Sequence, residues 1–261
     1  MAFAKNGEVA IHYEVIGNGP AIVLHTRAGG DLRIWKDAGY LSGLSGHRAI
    51  LVDQRGRGSS GRPDRVEDHT MEIYADDISL VLDDAGVDSA GFWGYSNGFV
   101  VGLAFGAAHP KRLQALVGTG AVSFIDLDEL PPIADREAFI RDRVASGGVR
   151  VELDAFMKSE GDRFPPSIDQ NVRETDPFIG ALRGLAWRSW HGPRSVLPSI
   201  RCPVLLLVGE KEDLDGSSDQ VVSSLANGRK YRIPGVGHLG AFYRSDLALP
   251  LALPFLSDHL R

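Results

Sequence analysis

The residue order predicts an α/β fold built on a mostly parallel sheet. Three observations carry that prediction. Short apolar runs recur along the chain, several without the alternation of a sheet that has one wet face, as expected of strands covered on both sides. Helix-period stretches with capping residues separate these runs. In GFWGYSNGFV (91–100), one serine stands between two glycines where a run of β-formers gives way to a helix-like stretch.

The elements follow in chain order. VAIHYEVIGNGPAIVLH (9–25) reads as two strands joined by Gly-Asn-Gly, so the sheet is expected to begin with an antiparallel hairpin. AILVD (49–53), AGFWGY (90–95), LQALVG (113–118), PVLLLVG (203–209) and KYRIPG (230–235) read as further strands. MEIYADDISLVLDDAG (71–86) reads as a helix, with Thr70 as N-cap and Gly86 just past its end. SSDQVVSSLANG (217–228) reads as another, with serine caps in front and Asn-Gly behind. From about Ser123 to Ser195 no strand pattern appears. ADREAFIRDRVASGG, VRVELDAFMKSEG and PFIGALRGLAWRSWHG are helix-like, broken by Pro131-Pro132 and Pro165-Pro166. The expected organisation is a core of residues 1–122 and 196–261 with a helical insertion at 123–195.

Composition narrows the function classes. The 261 residues carry a formal net charge of −6, which argues against a nucleic-acid or anionic-membrane partner. The one cysteine, Cys202, excludes an intramolecular disulfide and is expected to pack as a small hydrophobe. No signal-peptide pattern and no apolar run of membrane-span length is present, so a cytoplasmic location is the expectation. There is no H-x-x-x-H, cysteine pair or compact His/Asp cluster to bind a metal.

The Gly-Ser-Gly stretch carries the chemistry. A sharp strand-to-helix turn strains the backbone of Ser96 and lifts its Oγ out of the sheet edge. Gly94 and Gly98 are small because they crowd that turn. The following helix points its N-terminus at the site, so the Asn97 N–H can donate to a developing oxyanion. Gly98, Gly102 and Gly106 form a four-spaced stripe that suits a close helix–sheet approach. A serine needs a base, and His238, in IPGVGHLGAF after the last predicted strand, is placed to reach it. The loop GEKEDLDG offers Glu210, Glu212, Asp213 and Asp215, one of which would orient the imidazole.

These residues resemble the α/β-hydrolase fold family over nearly the whole chain, in the order serine, late acid, histidine, with GYSNG as the nucleophile elbow. LVDQRGRGSS (51–60) resembles the family's D-x-R-G-x-G-x-S loop, and AHPKRLQALVG resembles its approach to the strand after the elbow helix. LHTRAGG (24–30) occupies the place of the family's His-Gly oxyanion motif. The resemblance implies a mostly parallel sheet with helices on both faces, and a short helical lid at 123–195 after the sixth strand. It also implies a Ser96–His238–acid triad. Counting three residues past Gly209 gives Glu212 as the acid. Asp213 is the alternative, and Asp126 would serve if the acid came from the preceding strand. The family's glycine is replaced by Thr26, and Arg27 holds the position whose N–H completes the oxyanion hole. Its guanidinium either faces the pocket, favouring an anionic or carbonyl-rich acyl group, or points to solvent or pairs with Asp31 on the rim. Tyr95 and Trp187 are candidate substrate contacts; for Trp187 and Trp190 core packing against the sheet is the default and lining the acyl pocket the alternative.

GRGSSG (56–61) matches the dinucleotide fingerprint, but Arg62-Pro63-Asp64 follows it where a helix should open. A turn-rich loop held by Asp53 and Arg55 is expected. The expected function is therefore a cofactor-independent serine hydrolase of a small carboxylic ester or lactone. C–C bond hydrolysis or perhydrolysis on the same triad is one alternative, and a receptor-like ligand binder with little turnover is another. Oligomeric state is not readable from the residues.

Overall fold

The computed structural model describes residues 1–120, 133–148, 151, 158, 166–190, 192–213 and 216–261. Eight strands form one sheet: β1 (Ala2–Asn6), β2 (Val9–Ile16), β3 (Ala21–His25), β4 (Arg48–Val52), β5 (Ala90–Tyr95), β6 (Leu113–Thr119), β7 (Val204–Gly209) and β8 (Gly228–Ile233). Their order is β1-β2-β4-β3-β5-β6-β7-β8. β1, β2 and β4 pair antiparallel, and β4 through β8 run parallel in that spatial order.

The antiparallel opening is present, but its partners differ from the sequence expectation. β2 pairs with β1 and β4, and not with β3. The Gly-Asn-Gly connection does not close a hairpin. Gly17 and Gly19 have φ of 81° and 113°, and a Cβ on either would stand 2.4 Å from the carbonyl oxygen of His47 or Gly46. The two glycines thus press the chain against the turn that enters β4, and the connection crosses the end of β4 to reach β3.

Helices cover both faces. On one face lie α3 (Met71–Asp84) and α4 (Asn97–Ala108), with Tyr74, Ile78, Phe99 and Leu103 packed against Val23, Phe92, Leu116 and Leu206. On the other lie α1 (Arg33–Asp37) and α2 (Tyr40–Gly43), together with α10 (His238–Tyr243) and α11 (Ser245–His259). There Trp35, Tyr40, Phe242 and Leu256 pack against Leu24, Trp93, Val117 and Leu205. Each buried strand feeds both clusters because successive side chains point to opposite faces. Cys202 is half-buried against the first cluster, and burial pushes its thiol up to about 12.

α3 begins as expected, with the Thr70 hydroxyl accepting from the Ile73 N–H at 3.4 Å and Gly86 left-handed beyond its end. α9 (Ser217–Ser224) departs from expectation. Its N-cap is Gly216, without a side-chain cap, and the chain turns extended at Leu225 to enter β8, so Asn227-Gly228 opens a strand and does not close the helix. A carboxylate does the work of the missing cap: Asp213 accepts from the Ser218 N–H at 3.1 Å.

Between β6 and β7 the described residues form only helices: α5 (Arg136–Ala145), α6 (Pro166–Arg173), α7 (Pro177–Arg188) and α8 (Gly192–Val196), followed by one 3₁₀ turn at Leu197–Ser199. Most of VRVELDAFMKSEG lies outside the described residues, as do Pro131, Pro132, Pro165 and Asp126. Among the described residues no helix is long and apolar enough to cross a membrane, and no His/Cys/Asp/Glu group is arranged to hold a metal ion.

Two histidines are locked neutral inside this architecture. His25, at the end of β3, is lowered to about 4, chiefly by burial; its Nδ1–H donates to the Thr26 carbonyl at 3.2 Å, and Arg183 adds like-charge repulsion. His69 is also lowered to about 4, again chiefly by burial. Its Nε2–H donates to the Pro63 carbonyl at 3.0 Å and its Nδ1 accepts from the Tyr74 hydroxyl at 3.1 Å. Both folded values lie below the ordinary 6.5, so the stabilisation is complete above about pH 6.5 and drains as pH falls toward 4. Urea unfolding at pH 7.5 and pH 5 should show a loss of about 2 kcal/mol per histidine, with a shallower slope in His69→Gln. A stability that is flat across this interval contradicts the assignment.

Candidate active site

The site is built around the turn between β5 and α4. Ser96 has φ 55° and ψ −119°, and among the described residues it is the one non-glycine with positive φ. The reason lies in its neighbours. A Cβ on Gly94 would stand 2.3 Å from backbone atoms of Gly98 and Phe99, and a Cβ on Gly98 would stand 2.5 Å from the His25 carbonyl oxygen. The chain can therefore reverse this sharply only if both positions lack a side chain. Gly102 and Gly106 continue the fit, their hypothetical Cβ atoms lying 2.7 Å from Leu116 and Leu113. The Ser96 N–H donates to the Thr119 carbonyl at 2.8 Å, which pins the turn to β6.

The hydroxyl so presented meets a histidine. Ser96 Oγ lies 3.0 Å from His238 Nε2, and His238 Nδ1 lies 2.6 Å from Glu212 Oε1. Nδ1–H donating to Glu212 leaves Nε2 to accept the serine proton, the tautomer a general base needs. His238 opens α10, and Gly120, left-handed at φ 57°, keeps space beside it: a Cβ there would stand 3.0 Å from the imidazole Nδ1. The Tyr95 ring stacks on Phe242 at 4.1 Å and lies 5.4 Å from the imidazole. Tyr95 and Trp93 share one face of β5, and Trp93 Nε1 donates to Thr119 Oγ1 at 2.8 Å. Tyr95 thus backs the histidine from within the core.

The two neighbouring carboxylates have different partners. Asp213 is buried in a cluster of donors, accepting from Ser218 and from Arg232 Nε at 2.8 Å. Burial opposes its ionisation, but the Ser218 and Arg232 hydrogen bonds outweigh that and hold its carboxyl below the ordinary aspartate value. Its charge ties the loop after β7 to α9 and β8. Glu210 caps the same loop, accepting from the Gly235 N–H at 2.9 Å. Asp215 and Asp126 lie outside the described residues.

On the other side of Ser96 the chain leaves β3. His25 stands opposite Gly94 in the parallel register, so Arg27 and Ser96 each lie two residues past the same rung. Asn97 is the first residue of α4, where a backbone N–H has no intrahelical acceptor. Arg27 is buried and does not point to solvent, and Asp31 pairs with Arg33 instead. The Arg27 guanidinium donates to the Ala28 carbonyl at 2.8 Å and lies against the Tyr243 hydroxyl. Trp187 of α7 packs into the core beneath Arg183, whose guanidinium sits 5.4 Å from its ring.

Sequence reasoning missed two residues here. Arg183 donates to Asn97 Oδ1 at 3.3 Å. Arg57, buried beside it, belongs to the GRGSSG loop. That loop holds no helix start and is organised by Asp53, which accepts from Leu32 N–H at 2.8 Å, Ser59 N–H at 3.0 Å and His12 Nδ1 at 2.7 Å. Arg55 does not assist Asp53 but pairs with Asp77 of α3. What sets Arg57 and Arg183 apart is their burial, which is not readable residue by residue.

The family described as alpha/beta hydrolase fold matches residues 20–154, just over half of the chain. A zearalenone hydrolase of Cladophialophora bantiana is 32% identical over 105 residues, covering 40% of this chain and 40% of that protein. The chain spans less than half the length of the curated relatives it matches. Among solved structures, the enol-lactonase from Burkholderia xenovorans LB400 has a TM-score of 0.78 at 23% identity, covering 98% of this chain and 100% of that one. The esterase EaEST from Exiguobacterium antarcticum has a TM-score of 0.81 at 19% identity, with 98% of both chains covered. At these identities the likeness is one of fold.

The different partners of Glu212 and Asp213 separate their variants. Labelling of Ser96 by a fluorophosphonate should slow at least about a hundredfold in Glu212→Gln. Asp213→Asn should instead lower stability by about 1–3 kcal/mol and change labelling little. The opposite pattern assigns the orienting role to Asp213.

Proposed function

The chain belongs to the α/β-hydrolase fold family, and on that premise we propose that it is a serine hydrolase of small carboxylic esters or lactones. The observation that carries the reading is the hydrogen-bonded series from Ser96 Oγ through His238 to Glu212, mounted on a strained turn. Ser96 Oγ adds to the substrate carbonyl carbon while His238 Nε2 takes its proton. The carbonyl oxygen becomes an oxyanion held by the N–H groups of Asn97 and Arg27, and Glu212 stabilises the imidazolium. The bond to the leaving alkoxide then breaks as His238 returns the proton, leaving an acyl-serine. Water adds to that acyl group with the same histidine as base, and the carboxylic acid departs.

The reading uses only side chains and backbone groups of this chain. The helices between β6 and β7 act as a lid, since α7 brings Arg183 onto Asn97. In this division the described helices between β6 and β7 cover a catalytic core that carries the eight strands.

Hydrolysis of p-nitrophenyl esters from C2 to C10 tests the proposal. Steady turnover that falls at least about a thousandfold in Ser96→Ala is expected. A burst equal to the enzyme concentration without further turnover favours a ligand binder. Turnover that survives in Ser96→Ala rejects the serine as nucleophile.

A further inference from the structure

Three arginines converge beside the serine. Arg27, Arg57 and Arg183 are 2%, 5% and 7% exposed, each from a different part of the chain: the loop after β3, the loop after β4, and α7. Arg183 bonds the residue that follows Ser96. Arg57 is close enough to both other guanidiniums to feel their repulsion, which adds to burial in lowering it to about 9. Burial also lowers Arg183.

Asp176, half-buried at the start of α7, is close enough to Arg57 to offset part of that repulsion without pairing with it, and the buried carboxylates of the neighbouring loops and α3 are committed elsewhere: Asp53 to His12, Asp77 to Arg55 and Asp31 to Arg33. Among the described residues no carboxylate forms an ion pair with Arg27, Arg57 or Arg183. Arg27 Nε and Nη2, Arg57 Nη2 and Asn97 Nδ2 are buried donors without a hydrogen-bond acceptor. Burying a cation without a counter-charge is costly, and so is leaving a buried donor unmade. Three such cations at one point, in a protein of net charge −6, call for an anion from outside the chain.

We infer that Arg27, Arg57 and Arg183 bind a carboxylate carried by the acyl part of the substrate, so that the preferred substrate is a half-ester of a dicarboxylic acid or a lactone bearing a free carboxylate. Sheet order selects the acyl part. His238, which must protonate the leaving alcohol, arrives from beyond β8, on one side of β5. Arg27 and Arg57 arrive from the ends of β3 and β4, on the other side. The leaving group faces the histidine, and the acyl chain faces the arginines. This assignment of sides rests on the serine-hydrolase reading above.

The experiment compares phenyl hydrogen glutarate with phenyl pentanoate, esters of similar length that differ in one carboxylate. The wild-type kcat/KM should favour the anionic ester at least tenfold. Arg57→Gln and Arg183→Gln should each lower that anionic-to-neutral ratio at least fivefold. Equal or poorer use of the anionic ester by the wild type overturns the inference while leaving the hydrolase reading intact. If neither ester is turned over, the hydrolase reading fails and binding alone decides. Glutarate should then raise the melting temperature of the wild type by at least 2 °C more than equimolar pentanoate at matched ionic strength, and equal shifts overturn the inference. Both wild-type comparisons stand even if an arginine variant does not fold.

Discussion

The contact between the backbones at Gly94 and Gly98 is the constraint on which the rest of the site depends. Neither position has room for a methyl group, because each faces main-chain atoms that cannot move aside. That approach holds Ser96 at φ 55°, a conformation costing about 1–3 kcal/mol in an L-residue. The cost is offset by the buried packing of α4 against β5 and β6 and by the Ser96–Thr119 backbone bond. Relaxing the turn would drop the hydroxyl toward the sheet, away from His238, and would swing the first N–H groups of α4 off the same point. Strain here is therefore a means of aiming two groups at once.

The groups that surround Ser96 arrive from two sides of the sheet. From the β7–β8 side comes Glu212, which meets the histidine, while Asp213 beside it is held by Arg232 and Lys230. The β3–β4 side and α7 supply guanidiniums. Ser96 stands on the strand between the two groups, at the level where the parallel strands end. A parallel sheet puts all its strand ends on one edge, so residues distant in sequence meet there without any of them leaving its loop. The same arrangement lets His25 and His69 be buried neutral close to the cations. Their protonation would add charge where Arg183 already raises the potential.

The division of labour between Glu212 and Asp213 shows how a single position is decided. Both precede α9 in one loop, and side-chain length alone would favour the aspartate beside an imidazole. Asp213 is instead drawn to Ser218, Arg232 and Lys230, which occupy its oxygens from α9 and β8. The longer side chain of Glu212 then spans the remaining distance to Nδ1. Counting from Gly209 points to Glu212, but the physical reason lies outside GEKEDLDG, because Arg232 and Lys230 enter from the next strand.

Signals that are local and steric were legible in the residue order. The strands from β3 onward, the helix after Thr70, the Gly94–Ser96–Gly98 turn and the stripe at Gly98, Gly102 and Gly106 all follow from size, periodicity and spacing within a few residues. So does the placing of His238 after the last strand. Pairing and charge matching were decided by the tertiary structure, because they are set by whichever group arrives from elsewhere. The Gly17–Gly19 connection reads as a hairpin until the turn at Gly46–His47 is set against it, and β2 then joins β4. Arg27 can be read as facing the pocket or as a rim residue until Asp31 is taken by Arg33 and its own side chain is buried. Nothing in the residue order marks Arg57 and Arg183, which folding buries together. Sterics act along the chain and leave their mark in its order; electrostatic partnership acts through space and exists only once the strands are side by side.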